Sequence, residues 1–308
     1  MKHLTLACVF ALAACRRGPQ PRDASQRPRA ADVAAPSTDA TTEPRRVSLD
    51  VRDLTAWAEV APGVRWRRAE LRVLAVTPAV ERASPPPDVL QWVVIRVDVA
   101  RANLNVERPP DDSITALWER DSMAVAMVNG AYFEPDHSPS GLVFSGGAMR
   151  APVGPRGGSG ILTVEGDRVA VVSIDARDGG TYTPPPGVSL ALQSGPRVVE
   201  AGGVAGIYRH DGRYAARTVA CVRDAGRTLD LIATWDAREP RRGPELHDLA
   251  TILAGPSPTG DDGPCEVALN LDGGPSTGVY AGVPSAPGGV RHAPVGPTPW
   301  VFVVRPRR

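Results

Sequence analysis

The sequence predicts an α+β fold, with a mixed, largely antiparallel twisted sheet and a few packed helices in a single domain. Three observations carry that expectation. Apolar runs of strand length recur from about Leu49 to the end, several are joined by tight glycine-containing turns, and only two segments show helical spacing. Proline (32) and glycine (31) are abundant among the 308 residues, which favours turns and irregular connections over long helices.

The first fifteen residues, "MKHLTLACVFALAAC", read as a targeting segment: Lys2, an apolar stretch from Leu4 to Ala14, then Leu12-Ala13-Ala14-Cys15. This is the pattern of a bacterial lipoprotein signal, with small residues before a cysteine that would be lipidated. An ordinary secretory signal with an incidental cysteine is the other reading. Either predicts export, and acyl chains on Cys15 would anchor the protein to a membrane, facing the periplasm or cell surface. Residues 16–46 carry Pro, Ala, Ser, Thr and charge with almost no large apolar side chain, the composition of a disordered tether. Residues 47–308 are then the folded domain. The net charge of +1 offers nothing for nucleic acid to bind, and no run of a mature protein is long enough to span a membrane.

Within the domain, "WVVIRVDV" (92–99) reads as a strand. "GILTVEGDRVAVVSI" (160–174) reads as a hairpin turning at Glu165-Gly166-Asp167, and "TVACVRDAGRTLDLIAT" (218–234) as another turning near Asp224-Ala225-Gly226. "WVFVV" (300–304) is a last apolar strand. The segment 111–121 begins with capping residues and sets Ile114, Leu117 and Trp118 on one helical face. The segment 244–255 has Leu246, Leu249, Ala250 and Leu253 at helical spacing, Pro244 near its start and Gly255 as a stop.

Besides Cys8 and Cys15, the chain has Cys221 and Cys265. Export would permit a disulfide between them, and two buried thiols are the alternative. The cysteines show no metal-ligand spacing, and His137, His210, His247 and His292 are scattered, so they read as surface or loop residues. No metal and no cofactor is expected.

Four polar-and-glycine breaks end apolar runs. "VALNLDGGPST" (267–277) places Asn270 and Asp272 two apart, hence on one face of an extended chain, before two glycines. The others are Asn129-Gly130, Gln193-Ser194-Gly195-Pro196 and Arg217-Thr218. Each alone is ordinary turn chemistry. Together they suggest a site where strands end.

In order and spacing these segments resemble the phosphodiester glycosidase family, over roughly Met123 to Val304 with a weaker stretch from about Val51. The resemblance rests on Asn129-Gly130-Ala131-Tyr132-Phe133 with Gly141 following, Gln193 to Pro196, Arg217-Thr218, and Asn270-Leu271-Asp272-Gly273-Gly274-Pro275-Ser276. The chain departs from the family pattern at Pro275, where a glycine is usual, and at Asp248, where a glutamate is usual. A Gly/Pro-rich insertion spans 255–264, and the family's closing segment survives only as Pro284-Ser285 and Arg291.

The resemblance implies hydrolysis of a sugar joined through its anomeric oxygen to a phosphodiester, with N-acetylglucosamine the sugar of its best-known member. In that frame Arg217 and Thr218 would grip phosphate, the N–H groups of Gly273 and Gly274 would form an anion nest, and Asn129 and Asn270 would bind sugar hydroxyls. Gly130 and Ser276 complete the expected binding set. Asp272 is the first candidate for the catalytic carboxylate, Asp248 the second and Glu134 the third. Two other readings stay open: a catalytically inactive envelope glycan-binding lipoprotein of the same fold, and a phosphodiesterase that breaks the phosphorus–oxygen bond.

Overall fold

The computed structural model describes residues 46–77, 85–175, 181–260, 263–283 and 288–307, all within one compact unit. The signal segment, the tether up to residue 45, Cys8, Cys15, Pro284 and Ser285 lie outside the described residues.

Among the described residues the strands form three sheets. The largest, of nine strands, runs in the order Arg46–Arg52, Val64–Thr77, Val89–Asp98, Thr228–Asp236, Arg217–Arg223, Val267–Asn270, Arg197–Glu200 and Val204–Ala205, with Ala58–Ala61 also paired to Val64–Thr77. A five-stranded sheet orders Arg168–Ser173, Gly160–Glu165, Val188–Ser194, Val143–Ser145 and Ala148–Ala151. Another orders Val290–His292, Val279–Ala281, Ala126–Asn129, Val301–Pro306 and Ala102–Glu107.

The expected mixed sheet is corrected in one respect: every strand pair among the described residues is antiparallel. Parallel neighbours need long crossovers, commonly helical, and this chain has little helix to make them. The helical part is correspondingly thin for an α+β fold, with two α-helices among the described residues.

The central core lies where the three sheets face one another. Val93, Ile95 and Val97 point into it from the large sheet, Val128 and Phe302 from one small sheet, and Leu192 from the other. The alternate residues of the same strand, Trp92 and Val94, point to the opposite face, where they pack with Leu249 and Leu253 of the longer helix. Burial on both faces is why residues 92–95 read as a continuous apolar run rather than an alternating one. Arg96 stands opposite Asp230 on the neighbouring strand, and its guanidinium meets that carboxylate through two hydrogen bonds of 2.7 Å. Arg223 adds a third at 2.8 Å, so the buried Asp230 is neutralised within the sheet.

Helix α1 (Ile114–Arg120) starts where Ser113 accepts the N–H of Ala116 on its side chain. Asp111 and Asp112, expected inside the helix, instead take positive φ values of 53° and 50° just before it. Seven residues are too few to hold a helix alone. Ile114 and Trp118 hold it by burial against Met127, Tyr280 and Val303, each such side chain contributing about 1.5–3 kcal/mol. Helix α2 (Leu246–Ala254) covers the outer face of the large sheet and ends at Gly255. Cys221 and Cys265 form a disulfide with a Cα separation of 5.5 Å, tying strand Arg217–Arg223 to the segment that leads into Val267–Asn270.

Candidate active site

The four breaks noted in the sequence meet in space, from all three sheets. Strand Val267–Asn270 lies between Arg217–Arg223 and Arg197–Glu200, and the chain leaves it at Leu271 to enter a short 3-10 turn, Gly274–Ser276. Strand Ala126–Asn129 arrives from a small sheet. There the main chain of Asp272 is held twice: its N–H donates to the Gly130 carbonyl at 3.0 Å, and its own carbonyl accepts the Asn129 side-chain amide at 2.5 Å. Asn129 Oδ1 in turn accepts the Thr218 hydroxyl at 2.6 Å and the Gly278 N–H at 3.2 Å. A side chain at Gly130 would press on the main chain at Trp300 and Phe302, so glycine lets these strands close.

Asn129, Gly130 and Thr218 are therefore corrected from ligand contacts to supports. Asn129 and Thr218 are 1% and 0% exposed, and their polar side-chain atoms are committed to protein. The anion nest is corrected too: the Gly274 N–H donates to the Ala216 carbonyl at 2.7 Å, and the Gly273 N–H serves the Asp272 carboxylate. Ala216 also explains Gly273, because a Cβ there would stand 2.7 Å from its oxygen.

Asp272 is half-buried, and the surrounding protein pushes its carboxyl up from 3.8 to about 7 against the pull of the Gly273 N–H and the Ser276 hydroxyl. Ser276 thus joins the site as a partner of Asp272. Asn270 and Asp272 both act on Tyr132, a residue to which the sequence pattern alone assigns no role. Asn270 Nδ2 donates to the Tyr132 hydroxyl at 2.7 Å, which donates to the Gly195 carbonyl at 2.7 Å. Burial and the Asp272 charge push this phenol up to about 12, while Arg217 and Asn270 oppose them. Tyr132 therefore stays a neutral hydrogen-bonding group at neutral pH. Asn270 Oδ1 is buried with no hydrogen-bond partner among the described residues.

Arg217 is half-buried and its guanidinium is held by the carbonyls of Pro244 (3.3 Å) and Arg213 (2.9 Å). Burial lowers its pKa, with Tyr132, Asp211 and Glu245 working in the other direction. It forms no carboxylate ion pair among the described residues, leaving donors for an anion. Tyr132, Gly195 and Pro196 open onto a cleft of about 890 Å³ that is also lined by Arg156, Arg197 and Arg213.

Gln193 shapes the cleft wall. Its side chain accepts the N–H groups of Leu142 and Gly154, each at 3.0 Å, and donates to the carbonyls of Gly154 and Gly158, each at 2.9 Å. Gly141 packs so closely on Gln193 that a Cβ would lie 2.5 Å from its oxygen. Glu134 pairs with Arg156 at 2.9 Å on the cleft rim. Asp248 is buried in the first turn of α2, beside His247 and His210. The reading of the histidines as surface or loop residues is corrected for His247, which is buried in α2, whereas His210 does lie in a loop that folding brings beside it. His137 contacts Asp112 at 2.5 Å and His292 stacks on Trp235 with ring centroids 3.8 Å apart.

The fold and the site define an antiparallel-sheet protein with a carboxylate of raised pKa where strands end, an arginine without a carboxylate partner among the described residues, and a cleft lined by three arginines and Asp175. The family model for phosphodiester glycosidases matches residues 122–301, more than half of the chain, and the protein belongs to that family. Among solved structures, the chain is similar to the zebrafish N-acetylglucosamine-1-phosphodiester alpha-N-acetylglucosaminidase catalytic domain, auto-inhibited by its pro-peptide. That match has a TM-score of 0.56 and 14% identity, covering 85% of this chain and 89% of the other. A hypothetical protein from Synechocystis (TM-score 0.53, 13% identity) covers 86% of this chain and 68% of its own. A putative exported protein from Burkholderia pseudomallei (TM-score 0.53, 14% identity) covers 89% and 99%. At these identities the likeness is one of fold. No curated protein sequence matches the chain significantly.

Proposed function

We propose that this protein hydrolyses a sugar-phosphodiester at the anomeric carbon, releasing the sugar and a phosphomonoester. The observation that carries this reading is Asp272, with its carboxyl raised to about 7 beside Tyr132 and the carboxylate-free Arg217. In its ionised form Asp272 either takes the proton of a water that attacks the anomeric carbon, or attacks that carbon itself to form a glycosyl ester that water then hydrolyses to free the sugar and the carboxylate. The anomeric carbon–oxygen bond breaks and the electron pair leaves with the phosphate oxygen. Phosphate is a good enough leaving group to reduce the need for a general acid. Arg217 neutralises charge on the departing phosphate through its planar fork. Of the arginines that line the cleft, Arg156 pairs with Glu134 and Arg197 with Glu200, which leaves Arg213 to meet an anionic aglycone. Family membership and the fold of the zebrafish enzyme favour N-acetylglucosamine as the first sugar to try.

Export as a membrane-anchored lipoprotein through Cys15 is part of the proposal, supported by the Cys221–Cys265 disulfide, a bond that persists in oxidising compartments. No helix among the described residues is long and apolar enough to cross a membrane. The test is to incubate the purified full chain with N-acetylglucosamine phosphodiesters in ¹⁸O-labelled water. Label in the released sugar supports glycosidic cleavage, label in phosphate overturns it in favour of a phosphodiesterase, and bound but unreleased glycan favours the inactive binding protein.

A further inference from the structure

His210, His247 and Asp248 each bring one donor atom to within 4.8 Å of the others. His247 and Asp248 follow each other in the first turn of α2, and both are buried. His210 comes from the irregular stretch between strands Val204–Ala205 and Arg217–Arg223, and its ring lies against that of His247 with centroids 3.7 Å apart. Two imidazoles and a carboxylate at such range would be unremarkable if the protein supplied partners for every nitrogen. For His210 it does not.

His210 Nδ1 lies 2.8 Å from Glu245 Oε2, a contact in which Nδ1 donates to the carboxylate and Nε2 is the nitrogen available to a metal ion. That Nε2 is buried and has no hydrogen-bond partner among the described residues. Glu245 is fixed in its turn, its other oxygen accepting the N–H groups of Asp211 and Gly212. As the residue preceding α2, Glu245 could have capped the helix with its side chain, yet it makes no capping bond and reaches to His210 instead. A carboxylate gripping one imidazole nitrogen while the other faces inward is how proteins orient histidine for a metal ion.

We infer that His210, His247 and Asp248 form a binding site for a divalent transition-metal ion, zinc being the best match, with Glu245 orienting His210. Two imidazoles and one carboxylate suit zinc, whereas calcium and magnesium call for sets made of oxygen. Three protein ligands leave a fourth tetrahedral position for water or a ligand oxygen. The ion would clamp the irregular stretch onto α2 next to Arg217, whose guanidinium bonds to the carbonyls of Pro244 and Arg213 on either side of that junction. Asp248 then serves as a ligand rather than as a second catalytic carboxylate. The inference stands apart from the glycosidase reading, since metal binding is measured without turnover.

The test uses the full chain, stripped with a chelator and dialysed, then titrated with zinc chloride against a chromophoric zinc indicator. Wild type is expected to bind one equivalent and to melt at a higher temperature with zinc than without. His210→Ala and His247→Ala should each weaken binding by about 100-fold or more, and Glu245→Gln by about 10–100-fold. Cobalt chloride should give wild type, and not His210→Ala, the intense visible absorption of a tetrahedral site. A wild-type chain that binds no zinc overturns the inference. So does an unchanged equivalent of zinc in folded His210→Ala. Should His210→Ala fail to fold by circular dichroism, folded Glu245→Gln with wild-type zinc affinity overturns it equally.

Discussion

The side-chain amide of Asn129 donates to the main-chain oxygen of Asp272 at 2.5 Å, while the Asp272 N–H donates to the oxygen of Gly130 at 3.0 Å. The end of one strand therefore fixes where the chain after another places its carboxylate. This makes Asn129 a positioning residue, and Thr218, which donates to Asn129 Oδ1 at 2.6 Å, a support for it.

Asn129→Ala removes three hydrogen bonds from a buried site and leaves the Asp272 carbonyl and the Thr218 hydroxyl without their partner. The expected cost is about 1–3 kcal/mol of stability, read from chemical denaturation. Because Asp272 shifts while Arg217 stays, kcat should fall by about 10- to 100-fold with KM little changed. A matching rise in KM would instead make Asn129 a substrate contact.

Arg217→Lys keeps the charge and loses the planar fork. The Pro244 and Arg213 carbonyls that now hold the guanidinium can still receive an ammonium, so the melting temperature should move little. KM for a phosphodiester should rise by about tenfold or more. Equal KM values for both forms would remove Arg217 from the phosphate site.

How far the sequence revealed this arrangement follows from what each residue spends its polar groups on. Strands such as Val89–Asp98 were legible because both faces are buried, which leaves an apolar run. The pairing of Asn270 with Asp272 was legible because extended chain has a two-residue period, and both side chains do act on Tyr132. The roles of Asn129 and Thr218 were not. An amide that binds a sugar and one that binds a backbone carbonyl are the same residue in a sequence, and only the fold shows that Asn129 is sealed from solvent. The contact between His210 and His247 was not legible for a related reason: spacing finds clusters built on one element, and this pair is brought together by an irregular stretch folding back onto a helix.

The Cys221–Cys265 disulfide closes a loop of 44 residues between two buried positions. Restricting the unfolded chain over that length is worth about 4 kcal/mol in the chain-entropy account. Unfolding with a reductant present should shift the denaturation midpoint down by an amount of that order. Thiol titration of the denatured, unreduced protein should find neither Cys221 nor Cys265 free. Two reactive thiols assigned to them by peptide mapping would remove the bond.

Asp272 offers the sharpest test, because one substitution reads both its chemistry and its burial. Its carboxyl titrates near 7 in the folded protein and near 3.8 when unfolded. Between these values the folded state holds a proton that the unfolded state has lost. Stability should therefore fall as pH rises from about 4 through 7 and then level off. Asp272→Asn removes that titration and keeps the shape of the turn, so its melting temperature should lack this decline and exceed that of wild type at pH 8 by several degrees. Activity should run the other way. If Asp272 acts ionised, wild-type kcat/KM climbs through about pH 7 to a plateau, where Asp272→Asn loses about two orders of magnitude or more, and the gap narrows toward pH 5 as wild type itself becomes protonated. Released sugar and a melting curve, both measured from pH 5 to 8.5, decide the matter. A folded Asp272→Asn protein that turns over at the wild-type rate would falsify the assignment and move the search for the catalytic carboxylate to Glu134.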